Sequence, residues 1–193
     1  MKPEMIVVAG PSGSGKSRHF GVQSFGLAFF NVDDRCAELS GGSYGAIPNA
    51  IRIQAQHECE RFVSDCTMRG RSFAVETTLR SAVAIDQAER ARLAGFTIKM
   101  VFVATDNVQK NVHRVARRGL DGGHSAPPER IVEIYQSSLA NLPRALAVFD
   151  EVALYDSSAH DKQPRLVRVY NEQRITYDEP PVPVWLAAIL DAG

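Results

Sequence analysis

The chain has 193 residues, 45% of them hydrophobic and 23% charged, with 22 basic side chains balanced by 22 acidic ones. That length suffices for one domain, residues 1–193, with an ordinary buried core. The charge balance excludes a protein whose main task is to coat nucleic acid or an anionic membrane, both of which select a basic excess. No run approaches the ~20 apolar residues of a membrane span, and the N-terminus meets glycine and proline too early for a signal-peptide core; a cytoplasmic protein is expected.

In chain order, "MIVVA" (5–9) reads as a first strand, and the glycine-rich "GPSGSGKS" that follows opens a helical stretch. A second strand, "LAFFNV" (27–32), precedes a long helix from Ala50 that ends at Gly70. "SFAVET" (72–77) is a third strand, and a helix from Val83 ends at Gly95, again with glycine at the C-cap. "TIKMVFVA" (97–104) is a fourth, followed by a helix over 107–119 that is basic along its last turns. Residues 128–149 supply further helix, interrupted near Pro143, before a fifth strand over 151–156. "RLVRVY" and "QRITY", separated by "NE", form a hairpin at the sheet edge, and "VPVWLAAIL" closes the chain as a helix anchored by Trp185.

Apolar strands alternating with helices define an α/β protein of the P-loop NTPase type. It has three layers, a mainly parallel five-stranded sheet with helices on both faces, and a small C-terminal hairpin and helix. Cys36, Cys59 and Cys66 show no zinc spacing, and their odd number fits buried thiols in a reducing compartment.

Gly10, Ser12, Gly13, Ser14, Gly15, Lys16 and Ser17 lie in a G-x-x-x-x-G-K-[ST] motif set between strand and helix. Glycines permit a tight loop whose N–H groups converge on phosphate oxygens, and the helix N-terminus adds the positive end of its dipole. Lys16 reaches the β and γ phosphates of ATP, and the Ser17 hydroxyl ligates Mg²⁺.

In an open parallel sheet, ligands sit beyond the carboxyl ends of the strands. The second strand delivers Asn31, Asp33 and Asp34 there. Asp33 is the candidate general base that accepts the proton of an attacking hydroxyl, and Asp34 is assigned to a helix cap. The third strand delivers Glu76, Thr77, Thr78 and Arg80 to the substrate side of the same rim, with Thr78 or Ser81 expected to cap the next helix. Arg114, Arg117 and Arg118 then stand before "GLDGGHSAPP", a segment with the glycine content of a mobile lid. Arginines there can stabilise the charge on a moving phosphoryl group, or can simply complement a helix C-terminus.

The ordered set "VVAGPSGSGKS", "FFNVDD", "FAVETTLRS", "VFVATDNVQKNVHRVARRGLDGGH" and "IYQSSLANLPRALAVFDEVALYDSS" resembles the zeta-toxin-like P-loop kinases, some of which are labelled predicted ABC-type ATPases. The likeness runs from about residue 5 to 158. It implies ATP- and Mg²⁺-dependent phosphorylation of a small-molecule hydroxyl, the best-known acceptor being UDP-N-acetylglucosamine. By that resemblance Lys16 and Ser17 take the phosphate and magnesium positions, Asp33 the general base, and Glu76 the acidic substrate position. Arg117, with Arg114 close by, takes the first transition-state arginine, and Arg118 joins the ATP-binding set. Where toxin members carry a second arginine before a T-P pair, this chain has His124, which resembles the non-toxin branch. An antitoxin partner is a property of some members only. A nucleoside, antibiotic or free-sugar kinase, or a non-catalytic module gated by nucleotide, would carry the same motifs.

Overall fold

The computed structural model describes residues 2–44, 47–123, 125–159 and 162–190. Seven strands form one sheet: β1 (Glu4–Ala9), β2 (Ala28–Asn31), β3 (Phe73–Thr77), β4 (Thr97–Ala104), β5 (Glu151–Asp156), β6 (Arg165–Asn171) and β7 (Arg174–Asp178). Their order is β2-β3-β1-β4-β5-β6-β7. The first five strands in that order run parallel, and β6 and β7 continue the sheet antiparallel. The expected five-stranded parallel core is therefore present, and the hairpin extends it at the edge. The hairpin turn falls on Glu172 and Gln173, one residue later than the sequence suggested, with φ of 46° and 66° as a type I′ turn requires.

The helices are α1 (Lys16–His19), α2 (Val32–Leu39), α3 (Asn49–Met68), α4 (Val83–Leu93), α5 (Val108–Leu120), α6 (Pro128–Val148) and α7 (Val184–Leu190). The main core packs one sheet face, through Phe73, Ile98, Met100, Phe102 and Leu154, against α3, α4, α6 and α7. The other face is covered more thinly: Val8 and Ala74 pack under Val22, Phe20 and Phe25, around the 3-10 turn Val22–Phe25. A third cluster, Cys36, Ile47 and Ala55, joins α2 to α3. Trp185 is buried as expected of an anchor, its ring centroid 5.8 Å from that of Phe102 and its indole N–H donating to Asp156.

Three local expectations are corrected. Helix α6 runs through Pro143 without a break. Pro143 is exposed while Leu142 and Ala145 on either side are fully buried, so the missing hydrogen bond falls on the solvent side and core packing carries the helix across. The cap of α2 is Asn31, whose Oδ1 accepts the N–H groups of Asp33 and Asp34, so Asp34 is not the cap. Neither Thr78 nor Ser81 caps α4, which begins after Ala82 with no side-chain cap at all.

Gly70 and Gly95 do end their helices. At each, the following residue's N–H bonds back to the carbonyl five positions earlier, Arg71 to Cys66 and Phe96 to Ala91, the Schellman geometry that needs a left-handed residue. Space around Gly95 is open, so only backbone strain opposes a side chain there. Gly95→Ala is expected to cost about 1 kcal/mol, a fall of roughly 2–4 °C in Tm, readable by thermal denaturation.

Candidate functional site

The loop between β1 and α1 lies at the centre of the sheet, because β1 is flanked by β3 and β4. Gly10, Gly13 and Gly15 have φ of 134°, 79° and 91°, all left-handed. At two of them glycine is also demanded by contact: a Cβ on Gly10 would lie 2.1 Å from the Val103 carbonyl oxygen, and one on Gly13 would lie 2.6 Å from that of Asn111. The loop thus rests directly on the backbones of β4 and α5. Helix α1 is a single turn beginning at Lys16, shorter than the helical stretch anticipated.

Lys16 is buried, and its ammonium group donates to the Pro11 carbonyl across the loop at 3.2 Å. Burial pushes its pKa below the ordinary lysine value, Glu76 and Asp33 pull it back up, and Arg118 adds to the lowering. Four of the candidate side chains therefore act on one another at the loop. Ser17 donates its hydroxyl to Glu76 Oε1 at 2.9 Å, and burial raises the Glu76 carboxyl above the usual carboxylate range against the opposing pull of Lys16. The second carboxylate oxygen, Oε2, is buried without a partner, as is the Ser14 hydroxyl inside the loop.

Those two orphaned atoms bear on whether the expected ligands fit. A hydrated Mg²⁺ held by Ser17 and, through water, by Glu76 would satisfy the carboxylate, and a phosphate oxygen would satisfy the Ser14 hydroxyl. The donor set fits: magnesium takes few protein ligands and keeps its remaining positions for water and phosphate. Glu76, expected on the substrate side, is brought beside Ser17, since β3 is the neighbour of β1.

Asp33 sits in the first turn of α2, near enough to act on both Lys16 and Glu76. Its backbone N–H is held by Asn31, and Asn31's oxygen is committed to that cap. Asp34 accepts the Tyr44 hydroxyl at 3.0 Å. Arg80 faces the same region: burial and Arg130 push its guanidinium down while Asp33 opposes them. Arg80 follows Leu79, which is fully buried with φ of 56°, a costly backbone for a branched residue. Thr77 Oγ1 accepts the Leu79 N–H and Asn141 Nδ2 donates to its carbonyl, which fixes the turn that presents Arg80. Thr77 is thus engaged locally, and Thr78 is partly buried beside it.

The arginines of α5 separate. Arg118 acts on Lys16 and on Tyr44, so it faces the loop. Arg117 is exposed. Arg114 is turned beneath the loop, where its guanidinium donates to the Gly13 carbonyl and to Ser157. His124 lies outside the described residues. Sequence reasoning passed over Asn111, Asn141 and Ser157. Only Asn141 carried a signal, as the asparagine of the S-L-x-N-L-P run. A recess of about 700 Å³ runs along the exposed flank of α3 past Ile53, His57 and Arg61, and no residue of the loop lines it.

No protein-family model and no curated protein sequence matches this chain. Solved structures do. One belongs to the PezAT chromosomal toxin-antitoxin system of Streptococcus pneumoniae, 18% identical with a TM-score of 0.62 over 98% of this chain and 77% of that one. Another is the AvrRxo1-ORF1:-ORF2 complex with ATP, 16% identical with a TM-score of 0.70 over 91% of this chain, which spans only 60% of that one. Shikimate kinase from Acinetobacter baumannii in complex with shikimate is 14% identical with a TM-score of 0.50, covering 83% and 86% of the two chains. The fold is the three-layer α/β P-loop fold that these structures share, as the zeta-toxin resemblance implied. Among the described residues no helix is long and apolar enough to cross a membrane.

Gly13 tests the loop geometry. Gly13→Ala meets both left-handed strain and the Asn111 backbone and is expected to cost about 3 kcal/mol or more, against the mild effect at Gly95. Urea denaturation of the two variants side by side checks the difference.

Proposed function

We propose that the protein is an ATP-dependent kinase of the zeta-toxin type that phosphorylates a hydroxyl group of a small molecule. The observation that carries this reading is the different engagement of two carboxylates at the loop: Glu76 accepts the Ser17 hydroxyl, whereas Asp33, which also acts on the Lys16 ammonium, receives no hydrogen bond at its carboxylate from the described residues. A nucleotide-gated binding module needs the first carboxylate and has no use for the second.

In this reading the backbone N–H groups of residues 12–17 and the Lys16 ammonium bind the β and γ phosphates of ATP. Ser17 and Glu76 would hold Mg²⁺, which supplies charge neutralisation between the two phosphates when bound. Asp33 orients the acceptor hydroxyl in line with the γ-phosphorus and takes its proton as the new O–P bond forms and the bond to ADP breaks. Lys16 and Arg118 stabilise the charge on the moving group, with Arg117 available from the next position of α5. Arg80 and Thr78 belong to the acceptor side, supported by Asn31 through the α2 cap and by Thr77 through the Leu79 turn.

UDP-N-acetylglucosamine is the acceptor to test first, followed by nucleosides, antibiotics and free sugars. The PezAT and AvrRxo1 structures, described respectively as a toxin-antitoxin system and a two-component complex, support including a protein antagonist among the partners sought. We place the protein in the cytoplasm, where ATP is available.

A screen of hydroxylated metabolites for an ATP-dependent gain of one phosphoryl mass tests the reading. Asp33→Asn is expected to lower transfer to the best acceptor by at least about 10²-fold while leaving the Kd for Mg-ATP within a few-fold, because the base acts on the acceptor and not on the nucleotide. Transfer near the wild-type rate would remove Asp33 from the mechanism. An ATP-binding protein that phosphorylates none of these acceptor classes would favour the regulatory module.

A further inference from the structure

A phosphate-binding loop works only when successive N–H groups point inward, and because each peptide unit is planar, its carbonyls must then point outward. Here three consecutive outward carbonyls are each caught by a side chain from a distant part of the chain. Asn111 Nδ2 donates to the Ser12 carbonyl at 2.7 Å, Arg114 Nη1 to the Gly13 carbonyl at 3.4 Å, and Ser157 Oγ to the Ser14 carbonyl at 2.6 Å.

The three holders are themselves fixed. Asn111 is fully buried, and its oxygen accepts the Thr105 hydroxyl. The Thr105 carbonyl accepts the Tyr135 hydroxyl at 2.5 Å, which brings in α6. Arg114 grips Ser157 twice, at Oγ (3.0 Å) and at the carbonyl (2.9 Å). With Arg114 donating to it, the Ser157 hydroxyl has its single proton directed at Ser14, so donors and acceptors are consistent around the whole set.

We propose that Asn111, Arg114 and Ser157 are positioning residues for phosphate binding: they hold the peptide planes of residues 12–14 in the binding orientation before any nucleotide arrives. The proposal rests on the reading of this loop as the nucleotide site. It reassigns Arg114 from the transition state to the underside of the loop. Loss of a holder should weaken every ligand that uses the N–H groups by a similar factor, because the loop must then be ordered at the moment of binding.

Ser157 gives the mildest test, since Ser157→Ala removes one hydroxyl and Ser157→Thr restores it. Binding of inorganic tripolyphosphate and of Mg-ATP is measured by calorimetry at 10 °C, alongside the Tm of each protein. Tripolyphosphate reports the loop alone, without base or ribose contacts. The expected result is that Ser157→Ala raises both dissociation constants by about tenfold, the cost of one net hydrogen bond to a buried carbonyl, while Ser157→Thr stays within threefold of wild type. Arg114→Lys, which keeps the charge but cannot bridge Ser157 and Gly13 together, should weaken both ligands as well.

A purely structural role would lower Tm and leave both constants at their wild-type values at 10 °C, and that outcome overturns the proposal. Binding of ATP weakened with tripolyphosphate unchanged would also overturn it, because the effect would then lie on the base side. If the wild-type protein binds neither ligand, the nucleotide reading itself fails and the proposal falls with it.

Discussion

Backbone lying on backbone is the contact from which the rest of this site follows. Gly10 lies against the Val103 carbonyl and Gly13 against Asn111, at separations that leave no room for a single added carbon. Such closeness puts the β1–α1 loop within hydrogen-bonding distance of short side chains on α5 and at the end of β5, and it fixes where Lys16 emerges. A loop standing off by the width of a methyl group would place Lys16 and Ser17 elsewhere relative to Glu76 and Asp33. The glycines are therefore as much packing residues as hinges, and their conformational freedom is used once, at folding.

Electrostatics at the loop is deliberately unbalanced. A buried ammonium and a buried carboxyl are each costly, and neither is fully compensated by the other: burial remains the larger influence on both Lys16 and Glu76. The Glu76 carboxyl keeps an unpartnered oxygen, and Ser14 an unpartnered hydroxyl. Groups left unsatisfied in this way lower the stability of the protein. Leu79 adds backbone strain beyond the end of β3, maintained by Thr77 and Asn141.

Much of this was legible from the residues alone. Strand composition and helix-ending glycines gave all seven strands and the longer helices within a residue or two, though not the short α1, the 3-10 turn or α2, and the spacing of Gly10, Gly15, Lys16 and Ser17 located the loop. Illegible were the features decided by contacts far apart in sequence. The continuation of α6 through Pro143 depends on Leu142 and Ala145 meeting the core, which no local propensity encodes. The partition of Arg114 from Arg118 depends on which side of α5 abuts the loop, and a run of basic residues looks the same from either side. Asn31 was read for its position at a strand end, and its backbone-capping role became visible only with the helix that starts at Val32.

The spacing of these contacts along the chain bears on how the protein is made. The phosphate loop is synthesised first, at residues 10–17, yet the side chains that hold it lie about 100 and 143 residues later. Asp156, next to Ser157, is in turn held by the indole of Trp185. A growing chain that has emerged only as far as β4 contains the whole nucleotide motif without the parts that orient it. The loop is therefore held in its final shape only in chains that have already closed the sheet through β5.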